Sequence, residues 1–266
     1  MLSHRKRLSI LFAILIVVLG TTTVSLRNQR DKNSKLISPE KVDPTQYPLT
    51  DFDSPEPTEP NKRSLQRARN RQHDIGDKNI KMQDLRNFAL KESDPPELFQ
   101  LIPSEAPEEP AFPITQSDAI AIGQVTDAQA HLSNDKTNIY SEFLVRVEDV
   151  LKNDKFGSLG LGGSISTTRS GGRVRFASGK TLLRGSYGRG MPRLERRYLF
   201  FLKYNDEVQN YPIITAYELR NGRVFPLDGA PKSGIETPSG ATSYEDAEEA
   251  SFLNELKAAI EKARVQ

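Results

Sequence analysis

Hydrophobic and polar positions alternate over much of the second half of the chain. In residues 140–151 the apolar side chains of Phe143, Val145 and Val147 fall on one face, and charged residues fall largely on the other. This period of two predicts a half-buried antiparallel strand. Similar patterns predict further strands at residues 118–126, 164–168, 173–177, 198–204, 213–219 and 223–227.

Glycine positions indicate how these strands bend and connect. Asn221-Gly222 separates the last two strands, and because both residue types tolerate positive φ, the pair predicts a tight hairpin. Gly123, inside the first strand, predicts a bulge or a sharp bend. Short strands at this spacing are typical of a small barrel or sandwich, which we assign to residues 112–228.

The pattern changes to a helical period near the C-terminus. Phe252, Leu256 and Ile260 recur at i, i+4 and i+8, which predicts an amphipathic helix that packs on the β domain. Residues 242–246 carry a capping-box arrangement that would begin this helix. Residues 229–266 are therefore expected to form a loop and a helix that closes one side of the barrel.

The N-terminus carries a membrane-targeting pattern. An uncharged stretch, residues 8–26, follows three cations at residues 5–7 and precedes Arg27. Its length suits either a signal anchor or a cleavable signal peptide, so residues 1–27 predict an N-terminal hydrophobic helix that engages the membrane. The expected location is a membrane-anchored protein with an extracytoplasmic domain, or a secreted protein if the segment is cleaved.

Residues 28–111 are polar and hold most of the prolines. Apolar residues are too sparse there for a core and proline removes hydrogen-bond donors, so a disordered, charged and proline-rich linker is expected. Short helices are predicted at residues 61–73 and 82–90. The first is strongly basic, and two interpretations stay open: docking on anionic lipid headgroups, or a solvated linker.

Three segments, residues 117–125, 140–152 and 197–202, are similar to exported bacterial domains of unassigned function. They also resemble the OB-type barrel of the netrin-like group, to which tissue metalloproteinase inhibitors belong. The resemblance implies a mainly β fold with a small antiparallel OB-like barrel. It does not carry over the inhibitory function, because those inhibitors bind the protease zinc through an N-terminal cysteine and this chain has no cysteine.

Composition limits the core and the chemistry. Hydrophobic residues make up 36% and charged residues 27% of the 266, so one modest core is expected. The absence of cysteine excludes disulfides, thiolate metal sites and a cysteine nucleophile. Only one histidine, His131, lies in the β domain, where we expect a loop position. Residues 178–181 resemble the end of a phosphate-binding loop, but Val174 stands where that motif requires glycine. We predict no catalytic residue, no metal and no cofactor.

The β domain is unevenly basic. Residues 155–203 contain eleven Lys or Arg and a single acid, Glu195. Arginine beside the free N–H groups of glycine-rich turns can bind anions, although a solvated basic loop has the same sequence pattern. The candidate binding residues are Arg169, Arg173, Arg175, Lys180, Arg184 and Arg189.

These features favour a non-enzymatic cell-envelope binding or assembly module. Its expected partners are the membrane, through the N-terminal segment, and an anionic envelope polymer or a protein, through the basic loops. Export argues against nucleic acid as a partner. The alternative is an exported hydrolase or hydrolase inhibitor on the same barrel, with a concave polar site beside His131 or the turn at Lys180; a third hypothesis is a purely structural tether.

Overall fold

The computed structural model describes residues 43–74, 96–102, 110–154, 159–186, 188–229 and 240–265. The predicted N-terminal hydrophobic helix and the predicted helix at residues 82–90 lie outside the described residues. Within the ranges just given, no helix is long and apolar enough to cross a membrane.

Strands dominate the described part of the chain, and helices flank them. In chain order the strands are β1 (Leu49–Asp51), β2 (Glu97–Ile102), β3 (Ala119–Leu132), β4 (Ile139–Asn153), β5 (Ser164–Ser170), β6 (Gly172–Arg175), β7 (Thr181–Ser186), β8 (Arg197–Leu202), β9 (Tyr211–Arg220), β10 (Arg223–Pro226) and β11 (Ala247–Glu248). The α-helices are α1 (Pro60–Gln72) and α2 (Glu249–Val265), and short 3-10 turns occur at Pro44–Gln46 and Gly240–Tyr244.

Five of these strands close into a β-barrel. Their order is β9-β5-β4-β3-β8, and β8 pairs back onto β9 to complete the circle. The prediction of a mainly β protein with a barrel is therefore confirmed. One pair corrects the expectation of a wholly antiparallel barrel, because β5 and β9 run parallel. β9 follows β8, which pairs with β3 at the other end of the strand order. Since β8 is antiparallel to both β3 and β9, β9 runs in the same direction as β5.

The barrel interior is filled by the apolar face that the alternating pattern predicts. Phe143 and Val145 of β4 are buried there with Phe200 of β8. Gly123 lies where the register between β3 and β4 shifts. A Cβ atom at Gly123 would lie 2.6 Å from Val145 Cγ1 and 2.7 Å from the carbonyl oxygen of Arg146, so the close approach of the two strands requires glycine. The predicted bulge is confirmed.

A second sheet, with the order β1-β6-β7-β2, differs from the expected linker. Residues 43–74 and 96–102 are ordered, since β1 pairs in parallel with β6 and β2 pairs in parallel with β7. The edges of the β6–β7 hairpin supply hydrogen-bond partners for the added strands. Tyr47, Phe52 and Phe99 add apolar side chains that pack on the two adjoining hydrophobic clusters, which explains how a segment poor in apolar residues can fold.

Helix α2 covers the outside of the barrel, as its apolar stripe predicts. Phe252, Leu256 and Ile260 are buried against residues of β8 and β9 that include Phe201 and Tyr217. Burial of each such side chain stabilises the fold by about 1.5–3 kcal/mol. The C-terminal helix and its packing are therefore confirmed.

The predicted start of α2 is corrected. Residues 242–244 lie in a 3-10 turn and α2 begins only at Glu249. The reason is the β9–β10 hairpin, whose Asn221 and Gly222 have φ values of 54° and 72° as predicted. Its strand β10 pairs with residues 247–248 as β11, which delays the helix. The carboxylate of Glu248 then accepts a hydrogen bond from the backbone N–H of Ser251 at 2.8 Å.

Candidate functional site

The six predicted binding residues do not form one basic surface patch. Arg169 lies on the inward-facing side of β5 and is buried, and its Nη2 atom donates to both carboxylate oxygens of Asp228 at 2.6 Å. Arg184 of β7 is also buried and donates to the Gln100 side chain and to the backbone oxygen of Thr137. Burial lowers the pKa of Arg184 to about 10.

The other four candidates lie nearer the surface, and three of them contact distant parts of the chain. Arg173 Nε donates to the backbone oxygen of Tyr47 at 2.9 Å, and Arg175 Nε donates to Asp51 at 2.7 Å. Arg189 Nη1 lies 3.4 Å from the backbone oxygen of Ile214. Lys180 stands at the end of the turn between β6 and β7. Several of these arginines therefore attach the N-terminal strands and two are internal, and their part in binding a ligand stays a prediction.

The structure instead forms a concave site between the N-terminal segment and the β3–β4 hairpin. This cavity, which we call the α1 cleft, has a volume of about 280 Å³. One wall consists of residues 50–52 and 54–57 together with Arg63, Gln66, Arg67 and Asn70 of α1; the other consists of Gln129, residues 131–134 and Lys136. Amide, hydroxyl and charged side chains make up most of both walls.

Helix α1 forms one wall because its ends are fixed. Pro60 occupies the first turn of α1, where a missing N–H has no cost. The side chain of Asn134, in the β3–β4 turn, donates to the backbone oxygen of Arg67 at 3.0 Å, and that of Asn138 donates to the backbone oxygen of His73 at 3.3 Å. The hairpin turn therefore holds the C-terminal half of the helix across the barrel.

The cleft is basic along α1. This helix contains five cations and no acid within Pro60–Gln72. Arg67 forms a two-point ion pair with Glu56, with N–O distances of 2.8 Å and 2.6 Å. On the opposite wall Lys136 Nζ lies 4.2 Å from the centre of the Phe52 ring. These contacts leave the charged groups at the rim of the cleft, where they are partly hydrated.

An aromatic stack lies beside the cleft. The ring of Tyr140 lies 3.9 Å from that of His73 and 5.3 Å from that of His131. Burial lowers the pKa of His73 to about 4 and also lowers the pKa of His131, so both imidazoles are neutral at pH 7. The Tyr140 hydroxyl donates to Asn70 Oδ1 at 2.7 Å and accepts from Gln66 Nε2 at 2.8 Å. This stack joins α1 to the barrel.

His131 is a correction to the sequence analysis. We expected it in a surface loop, but it lies in β3 and lines the α1 cleft. Among the residues with described positions, no hydroxyl is hydrogen-bonded to its ring. In that same part of the chain, no group of three His, Cys, Asp or Glu side chains could hold a metal ion.

Several residues of this site were missed by the sequence analysis. Gln66, Asn70 and His73 recur at i, i+4 and i+7 of the basic helix, so their common face could have been noticed. Nothing in the sequence shows that this face lies on Tyr140, whose partner Asn70 is 70 positions away. No known protein family matches the sequence, and no curated protein is significantly similar to it.

Proposed function

We propose that this protein is a non-enzymatic binding module of the cell envelope that recognises an anionic polymer through the α1 cleft. The observation that carries the proposal is the position of Arg63 and Arg67, from a helix with five cations and no acid, along one wall of a polar cavity. Arginine forks recognise carboxylate and phosphate groups on such polymers. The proposed binding residues are therefore Arg63, Arg67 and Lys136, in place of those predicted in the glycine-rich loops.

The barrel topology supports the same surface. We propose that the barrel is OB-like, because five strands in the order β3-β4-β5-β9-β8, with one parallel pair, correspond to a Greek-key barrel of this type. OB-folds bind polymers on the face of their second and third strands and through the adjoining loops. The turn between the first two strands here, residues 133–138, borders the α1 cleft. The likeness to the netrin-like group belongs to this proposal.

The location is part of the proposal too. We propose that residues 1–27 attach the protein to a membrane, or are cleaved after export, and that the β domain lies outside the cytoplasm. The cationic helix α1 would then face envelope glycans and lipid headgroups rather than nucleic acid.

Retention on immobilised polymers tests the proposal. A uronic-acid polymer and vesicles of phosphatidylglycerol present carboxylates and phosphates respectively, and neutral dextran presents neither. We expect retention on at least one anionic support, none on dextran, and a decline with rising salt because the cations are at the rim. Binding to the uronic-acid polymer alone would identify a glycan, and binding to the vesicles alone a lipid surface.

A matched pair of variants separates the site from net charge. Replacing Arg63, Arg67 and Lys136 by glutamine removes three cations from the cleft, and we expect about tenfold weaker retention, or about 0.5 kcal/mol for each charge. Replacing Lys257, Lys262 and Arg264 of α2 by glutamine removes the same net charge elsewhere. Equal effects of the two triple variants would contradict a site at the cleft, and no retention of the wild type would contradict the function.

The exported hydrolase or hydrolase inhibitor stays the alternative, and one observation favours it. His131 lines a concave polar cavity, which is the geometry that this hypothesis requires. A screen of peptide and glycoside substrates, and of envelope hydrolases for inhibition, tests it. Activity or inhibition that is present in the wild type and absent in His131→Gln would support this alternative over the binding module.

A further inference from the structure

The underside of α1 contacts a second group of residues, distinct from the cleft. Tyr140 and Glu142 project outward from β4, and Ser166 projects from the neighbouring strand β5. We call these three residues the β4 acceptor site. Arg69 of α1 lies on it, with its Nη1 atom hydrogen-bonded to Glu142 Oε1.

The contact between Arg69 and Glu142 uses only half of the carboxylate. Oε1 accepts from both Arg69 and the Ser166 hydroxyl, the latter at 2.7 Å. Oε2 is buried and has no hydrogen-bond partner among the described residues. A buried carboxylate oxygen without a donor is costly, and a guanidinium can bind both oxygens of a carboxylate at once. An arginine placed to reach both oxygens would therefore pair with Glu142 better than Arg69 does.

Helix α1 is held on this site almost entirely by polar contacts. None of its residues is buried, although every residue of the helix is described. Its contacts to the barrel include hydrogen bonds to Tyr140, the ion pair to Glu142, the bonds from Asn134 and Asn138 of the β3–β4 turn, and the stack of His73 on Tyr140. Two further bonds reach the β8–β9 loop, in which Arg69 Nε donates to the backbone oxygen of Val208 and Asn205 donates to Gln72. Most of these contacts are single hydrogen bonds, each of which contributes only about 0.5–1.5 kcal/mol net, so a ligand that pairs better with Glu142 can displace α1.

The groups left behind after α1 departs would suit a basic segment. They are the Glu142 carboxylate, the Val208 carbonyl and the Tyr140 hydroxyl, all of which accept hydrogen bonds. The neighbouring imidazole of His131 is neutral at pH 7 because burial lowers its pKa. A guanidinium offers five donors in a planar fork, whereas lysine offers a point charge that cannot span both carboxylate oxygens.

We propose that the β4 acceptor site binds an arginine-bearing segment of a partner protein, and that α1 occupies the site as a displaceable internal ligand. This inference does not depend on polymer binding, because the proposed polymer contacts are Arg63, Arg67 and Lys136 at the cleft and do not include Glu142. It adds a protein-recognition surface and names the chemistry of the partner: a basic segment with an arginine at its centre.

A peptide of residues 59–74, blocked at both ends and fluorescently labelled, tests this proposal against the detergent-solubilised full chain. In the wild type, α1 competes with the peptide. Arg69→Ala in the chain weakens this competition, and we expect the peptide to bind that variant about tenfold more tightly. Arg71→Ala changes an exposed arginine two positions along and should leave peptide binding at the wild-type level.

A second chain variant and a second peptide test whether Glu142 is the group that accepts the arginine. We expect Glu142→Gln, combined with Arg69→Ala, to abolish the gain in peptide binding. A peptide that carries lysine in place of Arg69 should bind about fivefold more weakly than the native peptide. Equal binding of the two peptides, or undiminished binding after Glu142→Gln, would overturn the proposal.

Hydrogen exchange supplies an independent measurement. In Arg69→Lys, which keeps the charge and alters only the fork, the amides of α1 should exchange faster while those of β4 and β8 stay protected. Unchanged exchange in α1, together with no peptide binding to either Arg69 variant, would show that α1 is a fixed part of the fold and would refute a displaceable helix.

Discussion

The guanidinium of Arg169 and the carboxylate of Asp228 form an ion pair inside the fold, with Nη2 2.6 Å from each carboxylate oxygen. Asp228 also accepts from the Thr215 hydroxyl at 2.9 Å and from the Gly190 backbone N–H at 3.1 Å. The Arg169 side chain is only 3% exposed. This pair connects β5, a strand of the barrel, to the residues that follow the β9–β10 hairpin.

Breaking this pair should destabilise the protein strongly. Arg169→Gln leaves Asp228 buried without its countercharge, and we expect the free energy of unfolding to fall by about 3 kcal/mol or more. Urea unfolding measures the loss. Arg175→Gln is the matched control, because Arg175 and its partner Asp51 are 52% and 53% exposed, and it should leave the urea midpoint unchanged within error. Equal midpoints for both variants would contradict a stabilising role of the buried pair.

Gly123 should not tolerate a side chain. In Gly123→Ala the new methyl group meets Val145 and the backbone of β4 at less than the normal contact distance, so we expect a loss of about 1–3 kcal/mol of unfolding free energy. Gly222→Asn is the comparison, because that glycine has open space around it and asparagine tolerates positive φ. Thermal unfolding of both variants checks the prediction, and a Gly123→Ala variant as stable as wild type would oppose it.

Stability should decrease in mild acid because of His73. Burial, and to a smaller extent the neighbouring His131, lowers the pKa of His73 from 6.5 to about 4. The unfolded chain therefore binds a proton near pH 6.5, whereas the folded chain binds it only near pH 4. Folding loses stability as pH falls through this window, by about 3 kcal/mol for His73.

The difference between wild type and His73→Gln isolates this effect from the titration of carboxylates. Urea unfolding of both proteins at pH 7 and at pH 4 gives the two changes in unfolding free energy. We expect the wild type to lose more than the variant. A parallel loss in both would show that His73 does not contribute.

Leu256 should be among the most costly positions of α2. It is fully buried between the helix and the barrel, so Leu256→Ala should lower the free energy of unfolding by about 2–5 kcal/mol through lost burial and a cavity. Leu253, which is only partly buried on the same helix, provides the control. Leu253→Ala should lower the free energy of unfolding clearly less in the same urea titration. The reverse order would mean that α2 packs on the barrel through a different face.

Local patterns accounted for much of the barrel. The alternation in β4, the bulge at Gly123, the hairpin at Asn221-Gly222 and the stripe of α2 each depend on residues close together in sequence. Propensity and periodicity report such features directly. The helix predicted at residues 61–73 is likewise confirmed as α1. The same rules failed at residues 43–52 and 96–102, since isolated apolar residues such as Tyr47 and Phe52 fold only when β6 and β7 provide an edge and a surface for them.

The sequence by itself therefore determined the β character of residues 118–226, the position of the last helix and the excess of positive charge. Only the tertiary structure decided which cations are exposed and where a concave site lies. Arg169 meets Asp228 across 59 positions, and Arg69 meets Glu142 across 73. Pairing at such separations depends on strand order and barrel closure, which no local pattern encodes, and burial then decides whether an arginine can meet a ligand or only its own chain.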